Sequence, residues 1–146
     1  MSTFNFKLEK ILDYKKTVED YKKGRYGSLK RKLHDEEEKL DAFNRHKADM
    51  ELEMNRSATK TKAGNLAMYN NYINDMSRRI AEQKRTVNKA KKELETARNE
   101  MVVATQEKKT FERLKEKEHK EYLHRLKKIE EKQIDTLVSY RTSIQQ

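Results

Sequence analysis

The sequence predicts an all-α fold: two long helices forming an antiparallel coiled-coil hairpin with a C-terminal helical overhang. Three observations predict it. Of 146 residues, 41% are Asp, Glu, Lys or Arg and only 34% are apolar, too few to enclose an ordinary globular core, so the apolar residues must serve a narrow seam. Proline is absent and Gly24, Gly27 and Gly64 are the only glycines, which removes the residues that normally punctuate turns and strand ends. The apolar residues recur in alternating steps of three and four, the mean spacing of a left-winding coiled-coil stripe, where a strand would need a period of two.

Helix one is expected over about 5–57. Its main stripe is Leu29, Leu33, Glu36, Leu40, Phe43, Lys47, Met50 and Met54, broken only by Glu36 and Lys47. Upstream, Ile11, Tyr14, Val18 and Tyr21 form a second stripe. The 11-residue step from Val18 to Leu29 predicts a change of phase, with local unwinding or a mobile joint at Gly24 and Gly27. Each mid-helix glycine costs about 1 kcal/mol relative to alanine.

A turn is expected over about 58–65, where Ser57-Ala-Thr-Lys-Thr-Lys-Ala-Gly64-Asn65 collects small and polar residues. Asn65 suits the cap of the following helix. So short a connection makes the helices antiparallel neighbours.

Helix two is expected over about 66–143. Its stripe runs Leu66, Tyr69, Ile73, Met76, Ile80, Gln83, Val87, Ala90, Leu94, Ala97, Met101, Ala104, Lys108, Phe111, apolar except at Gln83 and Lys108. At ~1.5 Å per residue it outreaches helix one, whose start falls beside about Lys117, leaving His119 to Gln146 without an intramolecular partner. In that tail Tyr122, Leu126, Ile129, Leu137, Tyr140 and Ile144 trace one face. Such a face suits a partner.

The residues of catalysis are missing. Gly24-Arg-Tyr-Gly27 lies in a helical pattern and lacks the Lys-Ser/Thr sequel of a phosphate-binding loop. His119 and His124 are five apart, not the i,i+4 spacing that shares a metal ion. The acidic run His34-Asp-Glu-Glu-Glu38 reads as a solvated face, because two helices offer no dry cleft to shift carboxyl pKa values. The expectation is a nonenzyme with no catalytic residue, no cofactor and no metal. Cysteine is absent, which excludes disulfides and fits a reducing compartment. The net charge of +10 permits nonspecific phosphate contact. Acidic residues such as Glu93, Glu95, Glu130 and Glu131 interrupt each basic run, which argues against specific nucleic-acid binding. With no apolar run near the ~20 residues of a membrane span, and no secretory signal in Met1 to Asp20, a cytoplasmic protein without a transmembrane segment is expected.

Two stretches carry a family resemblance. Phe4-Asn-Phe6-Lys-Leu8-Glu-Lys-Ile11-Leu12-Asp-Tyr14-Lys15, and Asn65-Leu-Ala-Met-Tyr69-Asn-Asn-Tyr72-Ile73-Asn-Asp-Met76 after the turn, on a hairpin of this length, resemble the FliJ family of the bacterial flagellar protein export apparatus. The resemblance implies a noncatalytic, stalk-like subunit. It would promote assembly of the hexameric export ATPase FliI, contact the export gate protein FlhA at the inner face of the membrane, and in some members escort export chaperones. A rod with one single-helix overhang can place that end in a ring while the turn end stays outside, so ATPase-ring contacts are expected at Phe4, Phe6, Leu8, Ile11, Leu12, Tyr122, Leu126, Tyr140 and Arg141. Export-gate contacts are expected on the aromatic and methionine surface near the start of helix two and its neighbour on helix one, at Tyr72, Met76, Tyr69, Phe43 and Met50, of which Tyr72 alone lies off the seam. Polar Arg79 and Gln83 limit the outer edge of that patch. The alternatives are a rotary-ATPase stalk, a virulence-type secretion subunit, or a generic coiled-coil scaffold with nonspecific nucleic-acid affinity.

Overall fold

The computed structural model describes residues 3–57 and 63–145. Helix α1 spans Glu9–Ser57 and α2 spans Ala63–Gln145, and no strand occurs among the described residues. The two pack as a helical hairpin coiled coil, as the stripes predict. Most of the expected turn, 58–62, lies outside the described residues. Gly64 and Asn65 belong to α2, so Asn65 is not its cap.

At the other terminus, α1 starts at Glu9 rather than near residue 5. The Glu9 N–H donates to the Phe6 carbonyl at 3.1 Å and the Leu12 N–H to Leu8 at 2.9 Å. The Glu9 carboxylate sits in the first turn, where the helix dipole favours an anion.

The helices pair in two compact units, residues 1–20 with 103–146 and residues 21–102. Each is antiparallel in its own contacts. In the first, Glu9 meets Lys115 at 2.8 Å while Lys15 meets Glu107 at 2.9 Å. In the second, Lys22 meets Glu100 at 2.9 Å and Lys32 meets Glu93 at 3.5 Å, while Gln83 reaches back to Glu36 at 2.9 Å. As position rises on one helix it falls on the other.

All fourteen stripe positions of α2 are buried or half-buried. Ala90, Ala97 and Ala104 are 3–4% exposed, small enough for close approach of the backbones. The stripe from Leu29 to Met54 on α1 is half-buried throughout.

The upstream stripe of α1 is a correction. Ile11, Tyr14 and Tyr21 are 42%, 64% and 65% exposed, whereas Leu12 is 1% and Glu19 3% exposed. The seam runs Leu8, Leu12, Lys15, Glu19, Lys22, Tyr26 and on to Leu29, in unbroken steps of four and three. There is no phase change, and Gly24 and Gly27 lie in continuous helix. Cross-helix ion pairs explain the choice. Lys15, Glu19 and Lys22 each find an opposite charge on α2, whereas the apolar set one position away, of which Val18 is half-buried as it stands, would carry Ile11, Tyr14 and Tyr21 inward at the cost of those pairs. One fully buried leucine contributes about 1.5–3 kcal/mol, so Leu12 anchors this part of the seam.

The overhang is also shorter than expected. Phe4 packs edge-on against His119 at 4.9 Å and tilted against Tyr122 at 5.6 Å, and Leu126 is half-buried. Residues 127–145 are all exposed. The difference lies in the nonhelical start, because an extended residue covers ~3.3 Å of chain against ~1.5 Å in a helix.

Candidate functional site

The five gate-side residues fall in the unit of residues 21–102. Tyr72 is 38% exposed and Met76 only 5%; Phe43, Met50 and Tyr69 are half-buried. Met76 is therefore spent on the seam, and Tyr72 presents the surface. Met50, Asn65, Met68, Tyr69 and Tyr72 line an open recess of about 340 Å³, whose wall includes Met68 at 70% exposure. The His46 ring stands edge-on to Tyr72 at 5.4 Å, and its Nε2 hydrogen-bonds the Tyr72 hydroxyl. That bond fixes the ring of Tyr72 from the facing helix.

Sequence reasoning missed His46 and Met68. A signal for His46 existed. His46 and Tyr72 each immediately precede a seam residue, Lys47 and Ile73, and such positions face one another across an antiparallel pair.

The ring-side residues fall in the unit of residues 1–20 and 103–146. Phe6 and Leu12 are 4% and 1% exposed; Phe4, Leu8, Tyr122 and Leu126 are half-buried. They seal the end of the helix pair. Ile11 at 42%, Tyr140 at 63% and the exposed Arg141 are free to meet a partner. Along the tail, Ile129, Ile134, Leu137, Val138 and Ile144 are 53–64% exposed. Ile129, Lys132, Gln133, Thr136 and Leu137 border a shallow groove of about 480 Å³.

Polar seam positions pair across the helices in two places, Gln83 with Glu36 and Lys108 with Glu19, while Lys47 pairs along its own helix with Glu51. The Gln83 amide donates to the Glu36 carbonyl at 2.9 Å and to its carboxylate at 2.5 Å. Lys108 donates to Glu19 at 3.0 Å, and this hydrogen bond to the carboxylate raises the Lys108 pKa. At the edge of the seam, the hydrogen bond and charge of Lys22 hold the Glu100 carboxyl below its ordinary value. Buried polar pairs of this kind fix register, because any slip strands a charge in the seam.

Among the described residues, no group of three or more His, Cys, Asp or Glu side chains could hold a metal ion. No helix there is long and apolar enough to cross a membrane. The chain presents two open surfaces: an aromatic and methionine recess, and an exposed helical tail over residues 127–145.

No match was found among curated proteins. Among solved structures, one described as a YscO homolog from Chlamydia trachomatis is similar with a TM-score of 0.53 and 23% identity, over 97% of each chain, a likeness of fold. The family model described as flagellar FliJ protein matches residues 4–146, both aromatic-rich stretches included, and the chain belongs to the FliJ family.

Proposed function

We propose that this chain, a flagellar export component by its family, is a noncatalytic coupling subunit that engages the hexameric export ATPase FliI through its tail and the export gate protein FlhA through the surface around Tyr72. The observation that carries this reading is the tail: residues 127–145 are helical and wholly exposed, with apolar side chains that no other described residue covers. An apolar helical face left bare is suited to a larger partner. Phe4, Phe6, Leu8 and Leu12, with Tyr122 and Leu126, brace its base. Ile11, Tyr140 and Arg141 make the ring contacts.

The gate contact centres on Tyr72, with Tyr69, Met50 and Met68 around the recess and Phe43 and Met76 packed in the adjoining seam. A tyrosine held by a hydrogen bond from behind offers a rigid, amphipathic ring to a partner at little entropic cost. The protein then acts at the cytoplasmic face of the membrane, where ring and gate meet.

The test is the rate of ATP hydrolysis by purified FliI with the full chain added at substoichiometric amounts. Stimulation is expected. No stimulation, with ring assembly verified by electron microscopy, would overturn the reading. Separately, Tyr72→Ala is expected to weaken pull-down of the cytoplasmic part of FlhA by about tenfold, the scale of an aromatic hot spot, while ATPase stimulation persists.

A further inference from the structure

Residues 22–32 of α1 carry six cations and no anion. The pairs Lys22 with Glu100 and Lys32 with Glu93 set them against residues 89–100 of α2, within the unit of residues 21–102. The two flanks of the seam differ. Glu93 and Glu100 neutralise one. The other is formed by the residues that directly follow seam positions: Lys23 and Lys30 on α1, and Lys91 and Arg98 on α2, all exposed. The antiparallel register puts Lys30 across from Lys91 and Lys23 across from Arg98. Positions of this kind normally carry opposite charges that select the pairing. Here Lys30 meets Lys91, cation against cation, which is destabilising.

A second cost sits in the same place. Gly24 and Gly27 lie in the interior of α1, with ordinary right-handed backbone. A Cβ at either would meet nothing within 4 Å, so neither packing nor conformation calls for glycine. On the helical wheel Gly27 adjoins the flank holding Lys23 and Lys30, and Gly24 lies next to it. The cationic flank is thus bordered by a strip of bare backbone. Among the described residues no anion pairs with Lys30, Lys91 or Arg98.

We propose that this flank is a docking face for an acidic amphipathic helix of a partner protein, whose carboxylates seat among Lys30, Lys91 and Arg98 while its backbone lies close over Gly24 and Gly27. Successive heptads lie ~10 Å apart along a helix, so carboxylates seven residues apart on the partner match successive crossings. A bare strip admits a second helix more closely than any side chain would. A continuous polyanion fits less well. Glu95 lies between Lys91 and Arg98, and Glu37 is the next residue of α1 on the same flank, whereas duplex DNA presents a charge every ~1.7 Å and would meet both.

The test uses the full chain and a fluorescein-labelled amphipathic helical peptide with Glu at heptad spacing, its Gln counterpart as control, read by fluorescence anisotropy. Binding of the Glu peptide alone is expected. The pair Lys30→Gln with Lys91→Gln should lower affinity about tenfold, while Lys89→Gln with Lys109→Gln, equal in charge removed but off the flank, should change it less than about twofold. Gly24→Ala with Gly27→Ala should lower affinity while raising the melting temperature, a combination that damage to the fold cannot produce. Absence of peptide binding, equal losses in the two lysine pairs, an unchanged affinity in the alanine variant, or tighter binding to duplex DNA or phosphatidylserine vesicles than to the peptide would each overturn the proposal.

Discussion

Glu19, 3% exposed, occupies a seam position that a leucine would fill in a simpler coiled coil. Its hydrogen bond from Lys108 at 3.0 Å offsets desolvation, and the pair specifies which residues of the two helices meet. Lys108→Ala removes the cross-helix partner of a buried carboxylate, so its urea midpoint should fall further than that of Lys15→Ala, which breaks a pair whose glutamate is 48% exposed and already solvated. The double substitution Glu19→Leu with Lys108→Leu should recover most of the loss, since apolar packing often equals a buried ion pair. Recovery absent from the double variant would show that stability there depends on the charges themselves. The glycines give the opposite sign. Gly24→Ala and Gly27→Ala should each stabilise the free chain by about 1 kcal/mol, measured by thermal denaturation followed by circular dichroism, because both Cβ positions are open.

At the scale of the helices, the ion pairs impose a pH dependence. Glu100, its pKa lowered chiefly by Lys22, contributes stability that is complete above the ordinary carboxylate value of about 4 and is lost as pH falls through its depressed folded value. Lys108, its pKa raised chiefly by Glu19, contributes stability that is complete below the ordinary lysine value of about 10.4 and is lost as pH rises through its raised folded value. Melting temperature should therefore be flat near neutrality and fall at both extremes. Lys22→Ala should flatten the acid limb, and Glu19→Gln the alkaline one; limbs unchanged in those variants would assign the dependence to other groups. The same pairs explain what the sequence showed and what it hid. Helix α2 was legible from Leu66 to Phe111 because twelve apolar residues mark its stripe, and α1 was legible from Leu29 onward for the same reason. The N-terminal seam was not, because Lys15, Glu19 and Lys22 are polar and their partners lie on the other helix. Ile11, Tyr14 and Tyr21 looked like the stripe and are exposed instead. Tyr72 was legible as an off-stripe aromatic; its partner His46 required knowledge of register.

For the whole molecule, the proposed function and the bare tail make one separable prediction, because the proposal assigns stability and partner contact to different residues. The seam holds the helices through Leu12, Met76, Ile80, Val87 and the alanines, all at most 7% exposed. Residues 127–145 bury nothing and stay helical through the helix's own backbone i→i−4 hydrogen bonds. Truncation after Leu126 should therefore leave global stability within about 0.5 kcal/mol, as for changes away from packed features, and lower helical content only by the residues removed. The same truncation should abolish stimulation of FliI, because it deletes Tyr140, Arg141 and the exposed apolar face. Binding to the gate protein through Tyr72 should survive. A truncated chain that melts normally and still stimulates the ATPase would move the ring contact to the exposed residues that remain, with Ile11 first among them, and Ile11→Glu would then be the decisive substitution.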